Sequence, residues 1–143
     1  MPAGSVETVN FSAQKYNKST SAQIGLGKVA ILDTSLTPDG WKQADAAGAN
    51  GPFVVAVNDL AATTDTYFTG ATAPATVLVE AGGALEPGAI VKVDAAGDVV
   101  AATVGTDAEV KFVGKYLTKE GESDASAAAD GDIVRIKLGG GSV

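Results

Sequence analysis

The chain has 143 residues, with ten Lys and Arg against seventeen Asp and Glu, a formal charge of −7, and neither cysteine nor histidine. A chain of this length is expected to form one domain that buries a core without staples. The missing cysteine excludes disulfides, thiolate nucleophiles and thiolate metal sites, and the missing histidine excludes the commonest general base, the commonest transition-metal ligand and the usual partner of a serine nucleophile.

Residues 1–23 are polar with isolated apolar side chains, Val6, Val9, Phe11 and Tyr16. They read as an extended N-terminal arm or one edge strand. No stretch of signal-peptide character is visible in them, and no run reaches the ~18 apolar residues of a membrane span, so the expectation is a soluble chain. From residue 24 the texture changes to short β-branched runs punctuated by glycine, the pattern of an all-β domain. The predicted strands of the first half are 27–33 (GKVAILD), 40–45 (GWKQAD), 52–58 (PFVVAVN) and 74–80 (PATVLVE). The near-continuous apolar run of PFVVAVN predicts a strand covered on both faces. Between the last two lies AATTDTYFTGATA, read as a small-residue loop carrying Tyr67 and Phe68.

The second half offers 88–94 (GAIVKVD), 98–103 (DVVAAT), 109–117 (EVKFVGKYL) and 132–138 (DIVRIKL). In the last, Val134, Ile136 and Leu138 alternate with Ile133, Arg135 and Lys137, which predicts one buried and one wet face. Turn chemistry accounts for the hairpin ALEPGAIVKVDAAGDVVAA: Pro87 presets φ, Gly88 and Gly97 supply positive φ, and Asp94 can bond backbone N–H groups beyond it. Residues 118–131 read as a charged surface segment and 139–143 as a flexible tail. Eight such strands predict a compact β-barrel or sandwich. GKVAILD matches GAIVKVD, GWKQAD matches GDVVAA, FVVAV matches FVGKY and VLVE matches IVRIKL, which suggests two duplicated four-strand halves, 24–80 and 85–138, within a single β-domain of 24–138.

Chemical signatures are weak. Gly25-Leu26-Gly27-Lys28 lacks the spacing and the following helix of a phosphate loop. Asp33, Asp39, Asp45, Asp59, Asp65, Asp94 and Asp98 sit mostly beside turns, where aspartate is expected for backbone reasons. Loops 33–40 and 122–132 offer oxygens for calcium, without the spacing of a regular calcium loop. No catalytic, cofactor or metal residue is assigned. The basic residues form no sequence stripe, which argues against nucleic acid as a partner.

A small acidic β-domain with GLGKVAILD and PGAIVKVDAAGDVVAA hairpins, PFVVAV and KFVGKY strands and a closing DGDIVRIKL resembles the head decoration, or cement, proteins of tailed phages. The resemblance rests on Gly88, Val91, Val93, Asp94 and Gly97, then on Phe112, Val113, Gly114, Lys115, Leu117, Asp130, Gly131, Asp132, Val134, Ile136 and Leu138. It covers residues 24–138 and departs in the longer, more polar DTSLTPDGWKQADAAGANG. It implies a non-enzymatic virion protein, made in the host cytoplasm, that binds the major capsid protein on the outside of an assembled shell. It also implies a homo-oligomer, a trimer by family habit, with no cofactor and no nucleic-acid or membrane partner. The residues expected at a capsid or subunit interface are Val6, Val9, Phe11, Tyr16, Trp41, Tyr67 and Phe68. The alternative is a carbohydrate-binding or tail-associated adhesion module using Trp41, Tyr67 and Phe68.

Overall fold

The computed structural model describes residues 3–4, 14–18, 22–34, 40–57, 65–120 and 126–139. They form an all-β sandwich of two five-stranded antiparallel sheets. The first sheet comprises β1 (Gln14–Asn17), β2 (Val29–Asp33), β3 (Gly40–Gln43), β4 (Val54–Ala56) and β5 (Tyr67–Ala71). The second comprises β6 (Thr76–Glu80), β7 (Ile90–Val93), β8 (Val99–Ala101), β9 (Gly114–Lys119) and β10 (Ile133–Leu138), with a 3-10 turn at Glu109–Lys111.

The two sheets have the same topology. Their orders, β1-β5-β4-β2-β3 and β6-β10-β9-β7-β8, superpose strand for strand. The hydrogen bonds agree in detail: Gly27 N–H donates to Ala56 O and Gly88 N–H to Tyr116 O, while Ala56 N–H donates to Lys28 O and Tyr116 N–H to Ala89 O. Neither sheet closes into a barrel. Among the described residues a single parallel bridge links its outer strands, Lys18 with Trp41 in the first and Ala81 with Val99 in the second.

This arrangement corrects the sequence reading in four places. The strands among the described residues number ten, not eight. VLVE is no partner of IVRIKL across a repeat; it lies in β6, pairs with β10 and opens the second sheet, so the division falls between Ala71 and Thr76. The common register equates Ala56 with Tyr116, so Phe53 corresponds to Val113 rather than to Phe112. Residues 67–71, read within a small-residue loop, form β5, and residues 14–17 form β1, the edge strand that was one of the two readings of the N-terminal segment, paired with β5 from Gln14↔Gly70 to Asn17↔Tyr67. Ala3 and Gly4 also lie on the body, since the Gly4 N–H donates to Leu78 O. The missed strand lacks the apolar alternation that marks a strand locally: YFTGA is built of small residues around one aromatic pair.

Period-2 alternation decides where the cores lie. In β4, Val54 and Ala56 face one way with Ile24, Ala30 and Phe68, while Val55 and Val57 face the other with Val29 and Ala71. The first sheet is therefore apolar on both faces, as its continuous FVVAV run requires. Its second face joins Val77, Val79, Val91, Val93, Val99, Tyr116, Val134 and Ile136 of the other sheet in the main core. Each such valine or isoleucine contributes about 1.5–3 kcal/mol when fully buried. Val134, Ile136 and Leu138 are buried while Ile133, Arg135 and Lys137 are not, in agreement with the alternation read from DIVRIKL.

Candidate functional site

The hairpin β7–β8 meets the first sheet at its turn. The Asp94 carboxylate accepts the N–H groups of Ala96 (2.8 Å) and Asp98 (2.9 Å), and Gly97 takes φ of 81°. That geometry was legible in the sequence because it depends only on neighbouring residues. What the turn does next is long-range. The Gly97 carbonyl accepts the Val29 N–H at 2.9 Å, Gln43 Nε2 donates to the Ala96 carbonyl at 3.0 Å, and Gln43 Oε1 accepts the Gly25 N–H at 2.9 Å. Lys28 Nζ pairs with Asp98 Oδ1 at 2.5 Å. The turn is a clasp across the seam between the sheets.

Its electrostatics follow from burial. The Asp98 side chain is 8% exposed, and burial pushes its carboxyl above the usual aspartate range; Lys28 opposes the shift, while Glu80 and Asp94 add to it. Lys28, the lysine of the Gly-x-Gly-Lys run, is committed to this ion pair rather than to a phosphate. Asp94 and Asp98, considered as a carboxylate pair, are likewise committed to the turn and the clasp. On the far side of the second sheet Asp107 accepts the Thr103 N–H at 2.8 Å and Lys92 Nζ at 3.1 and 3.2 Å. The Thr103 N–H and then Lys92 hold its carboxyl below the usual range against the opposing effect of burial. Burial lowers the Lys18 ammonium while Asp65 raises it, and Lys18 Nζ donates to the Ala22 carbonyl at 2.8 Å.

The two turn glycines differ in what surrounds them, which yields a measurable contrast. Gly88 has φ of 83° and open space, with Lys115 Cε 3.9 Å from where a Cβ would stand, whereas at Gly97 a Cβ would meet Gln43 Cγ at 3.0 Å and Lys28 Cβ at 3.3 Å. Gly88→Ala is expected to cost about 1 kcal/mol, the strain of a left-handed alanine. Gly97→Ala is expected to cost about 2–3 kcal/mol, because the clasp must also open. Urea unfolding of the two variants measures the difference directly.

Of the aromatic residues proposed for an interface, Tyr16, Trp41 and Phe68 come together. Tyr16 lies edge-on to Trp41 with centroids 5.6 Å apart and 5.7 Å from Phe68. Phe68 is buried beneath them as a core residue. Tyr67 follows the alternation to the opposite face of β5 and is exposed, so Trp41, Tyr67 and Phe68 do not form one platform. Val6, Val9 and Phe11 lie outside the described residues, as do Asp39, Asp59 and parts of both loops considered for calcium.

The seam also holds an apolar groove of 480 Å³, lined by Pro52, Phe53, Val110, Phe112, Val113 and Leu138 among others. Val110 on its rim is 52% exposed, and Val104 nearby is 71% exposed. Equivalent positions of the two sheets, Phe53 with Val113 and Thr72 with Leu138, all line it. Sequence reasoning did not find this groove, since it exists only where the two sheets abut. Comparison of the chain with family models, with curated proteins and with solved structures finds no match.

Proposed function

We propose that this protein is a structural component of a phage particle, binding the major capsid protein on the outer surface of an assembled shell and bridging its subunits. The observation that carries the reading is the seam itself. The motifs that look chemical in the sequence, Gly-x-Gly-Lys and the Asp94/Asp98 turn, are used to fasten two sheets together, while an apolar groove with exposed Val104 and Val110 beside it is left facing outward. A fastened double sheet with a shallow apolar contact suits a role in which many weak copies gain avidity from a symmetric lattice. The family resemblance of residues 24–138 supports the same reading.

Co-sedimentation of the purified chain with mature heads stripped of it is the test. Saturable binding is expected, weakened about tenfold or more by Val110→Asp on the groove rim, the cost of placing a charge against an apolar contact. A chain that stays in the supernatant at every concentration refutes the proposal.

A further inference from the structure

The connection between β3 and β4 is pinned to the second half of the chain at two places. The Gly48 N–H donates to the Val93 carbonyl at 2.9 Å, and the Gly51 N–H donates to the Val110 carbonyl at 2.8 Å. Gly51 is held tightly there and forms part of the groove wall. A Cβ at this position would stand 2.9 Å from Phe53 Cε2 and 3.3 Å from the Val110 oxygen, so packing requires glycine. The residue before it, Asn50, is exposed to water.

An exposed asparagine followed by glycine is the arrangement in which a main chain most readily attacks its own side chain. Glycine has no Cβ to obstruct the approach of its nitrogen, and asparagine is among the thermolabile residues. Asn17, the other asparagine among the described residues, lies in β1 and precedes Lys18, whose N–H is held by the Thr66 carbonyl. The structure assigns Asn50 as the residue at which this chain deamidates, with opening of the Gly51–Val110 hydrogen bond as the gate.

The chemistry needs only water. The Gly51 nitrogen gives its proton to solvent and attacks Asn50 Cγ, closing a five-membered succinimide. The Cγ–Nδ2 bond breaks, and the side-chain nitrogen takes a proton from solvent and leaves as ammonia. Water then adds across the imide, its OH to a carbonyl carbon and its H to the nitrogen. Opening at Cγ restores the ordinary main chain with aspartate, whereas opening at the main-chain carbonyl gives isoaspartate, whose main chain runs through Cβ and Cγ. While Val110 holds the Gly51 proton, the nitrogen is neither free to lose it nor free to turn toward Cγ. Reaction therefore proceeds from the opened loop. Isoaspartate inserts a methylene between the two pinned amides, Gly48 and Gly51, so the converted loop cannot restore both bonds. Conversion shifts the Gly51 wall of the groove, and it is a property of this chain alone, independent of shell binding.

Incubation of the whole chain at neutral pH beside a peptide of residues 47–53, with peptide mapping by mass spectrometry, tests the assignment. Replacement of NH2 by OH is expected at Asn50 in both, at least tenfold more slowly in the folded chain. Amide hydrogen exchange supplies an independent measure of the gate. The protection factor of the Gly51 N–H and the slowing of deamidation are expected to agree within about threefold, since both report the same opening. The isoaspartyl form, separated by its added negative charge, is expected to melt about 2–6 °C lower, the shift that loss of a hydrogen bond brings in a domain of this size. Asn50→Gln, which cannot close the five-membered ring, is expected to abolish the conversion. A folded chain that converts as fast as the peptide or not at all, conversion that persists in Asn50→Gln, or a slowing unrelated to Gly51 protection overturns the inference.

Discussion

Tyr116→Ala is expected to lower the free energy of unfolding by about 3–5 kcal/mol, the range for truncating a large buried aromatic. Tyr116 is fully buried, packs among the valines of the main core from the centre of β9, and its hydroxyl donates to the Ser126 carbonyl. Against a total stability of about 5–15 kcal/mol, such a loss leaves the chain marginal or unfolded at 37 °C. The equivalent position of the first sheet is Ala56, so that sheet fills the corresponding space with Tyr16, Trp41 and Phe68 instead. No aromatic stands ready to replace Tyr116 in the second sheet. Tyr116→Phe, which keeps the ring and removes only the hydroxyl, is expected to cost about 1 kcal/mol. Urea unfolding of both variants separates ring from hydroxyl, and a loss below about 1 kcal/mol for the alanine variant would show that the core can collapse around the gap.

The second large effect belongs to the clasp. Lys28→Met removes the cation but leaves the Asp98 carboxylate in its buried position, and the expected loss at neutral pH is about 2–4 kcal/mol. Replacing both partners, Lys28→Met with Asp98→Leu, is expected to cost less than Lys28→Met alone, because no charge is then stranded. The pH dependence identifies the cause. Burial raises the Asp98 carboxyl above its unfolded value, so the folded chain holds that proton more tightly. Its contribution to stability is fully present below the unfolded aspartate value of about 3.9 and is lost as pH rises through the folded value. Removing Lys28 removes the main opposition to that shift, so the defect of Lys28→Met is expected to be smaller near pH 4 than at pH 7. Asp107 acts in the opposite sense: its lowered carboxyl contributes stability above the unfolded value and loses it as pH falls through the folded one. In the wild type the two aspartates partly offset each other across the acid range. A defect of Lys28→Met that does not change between pH 4 and 7 would exclude the stranded carboxylate as its origin.

What could be read from the sequence was whatever neighbouring residues decide among themselves. Gly88, Asp94 and Gly97 adopt the turn conformations expected of them, and residues 133–138 alternate as their side chains require. The strand β5 was invisible, and the place of the edge strand offered for residues 1–23 was left open, because β1 and β5 are strands partly by virtue of each other: Gln14 to Asn17 and Tyr67 to Gly70 satisfy one another's backbone groups. Lys28 and Asp98 were both noticed in the sequence, but in separate motifs. Their meeting required the seam.

Each sheet is assembled from one continuous stretch of chain, β1 to β5 and then β6 to β10. During synthesis, therefore, the first sheet can complete its ladders and the small core around Phe68 before any of the second has left the ribosome. Its other face, with Val29, Val55 and Ala71, stays bare in that interval and is a sticky intermediate for a chaperone or for a neighbouring nascent chain. Release from this vulnerable state comes with the later arrival of β6 through β10. The Gly4 N–H, made before Leu78, must then wait for it before it finds the carbonyl it binds in the finished molecule.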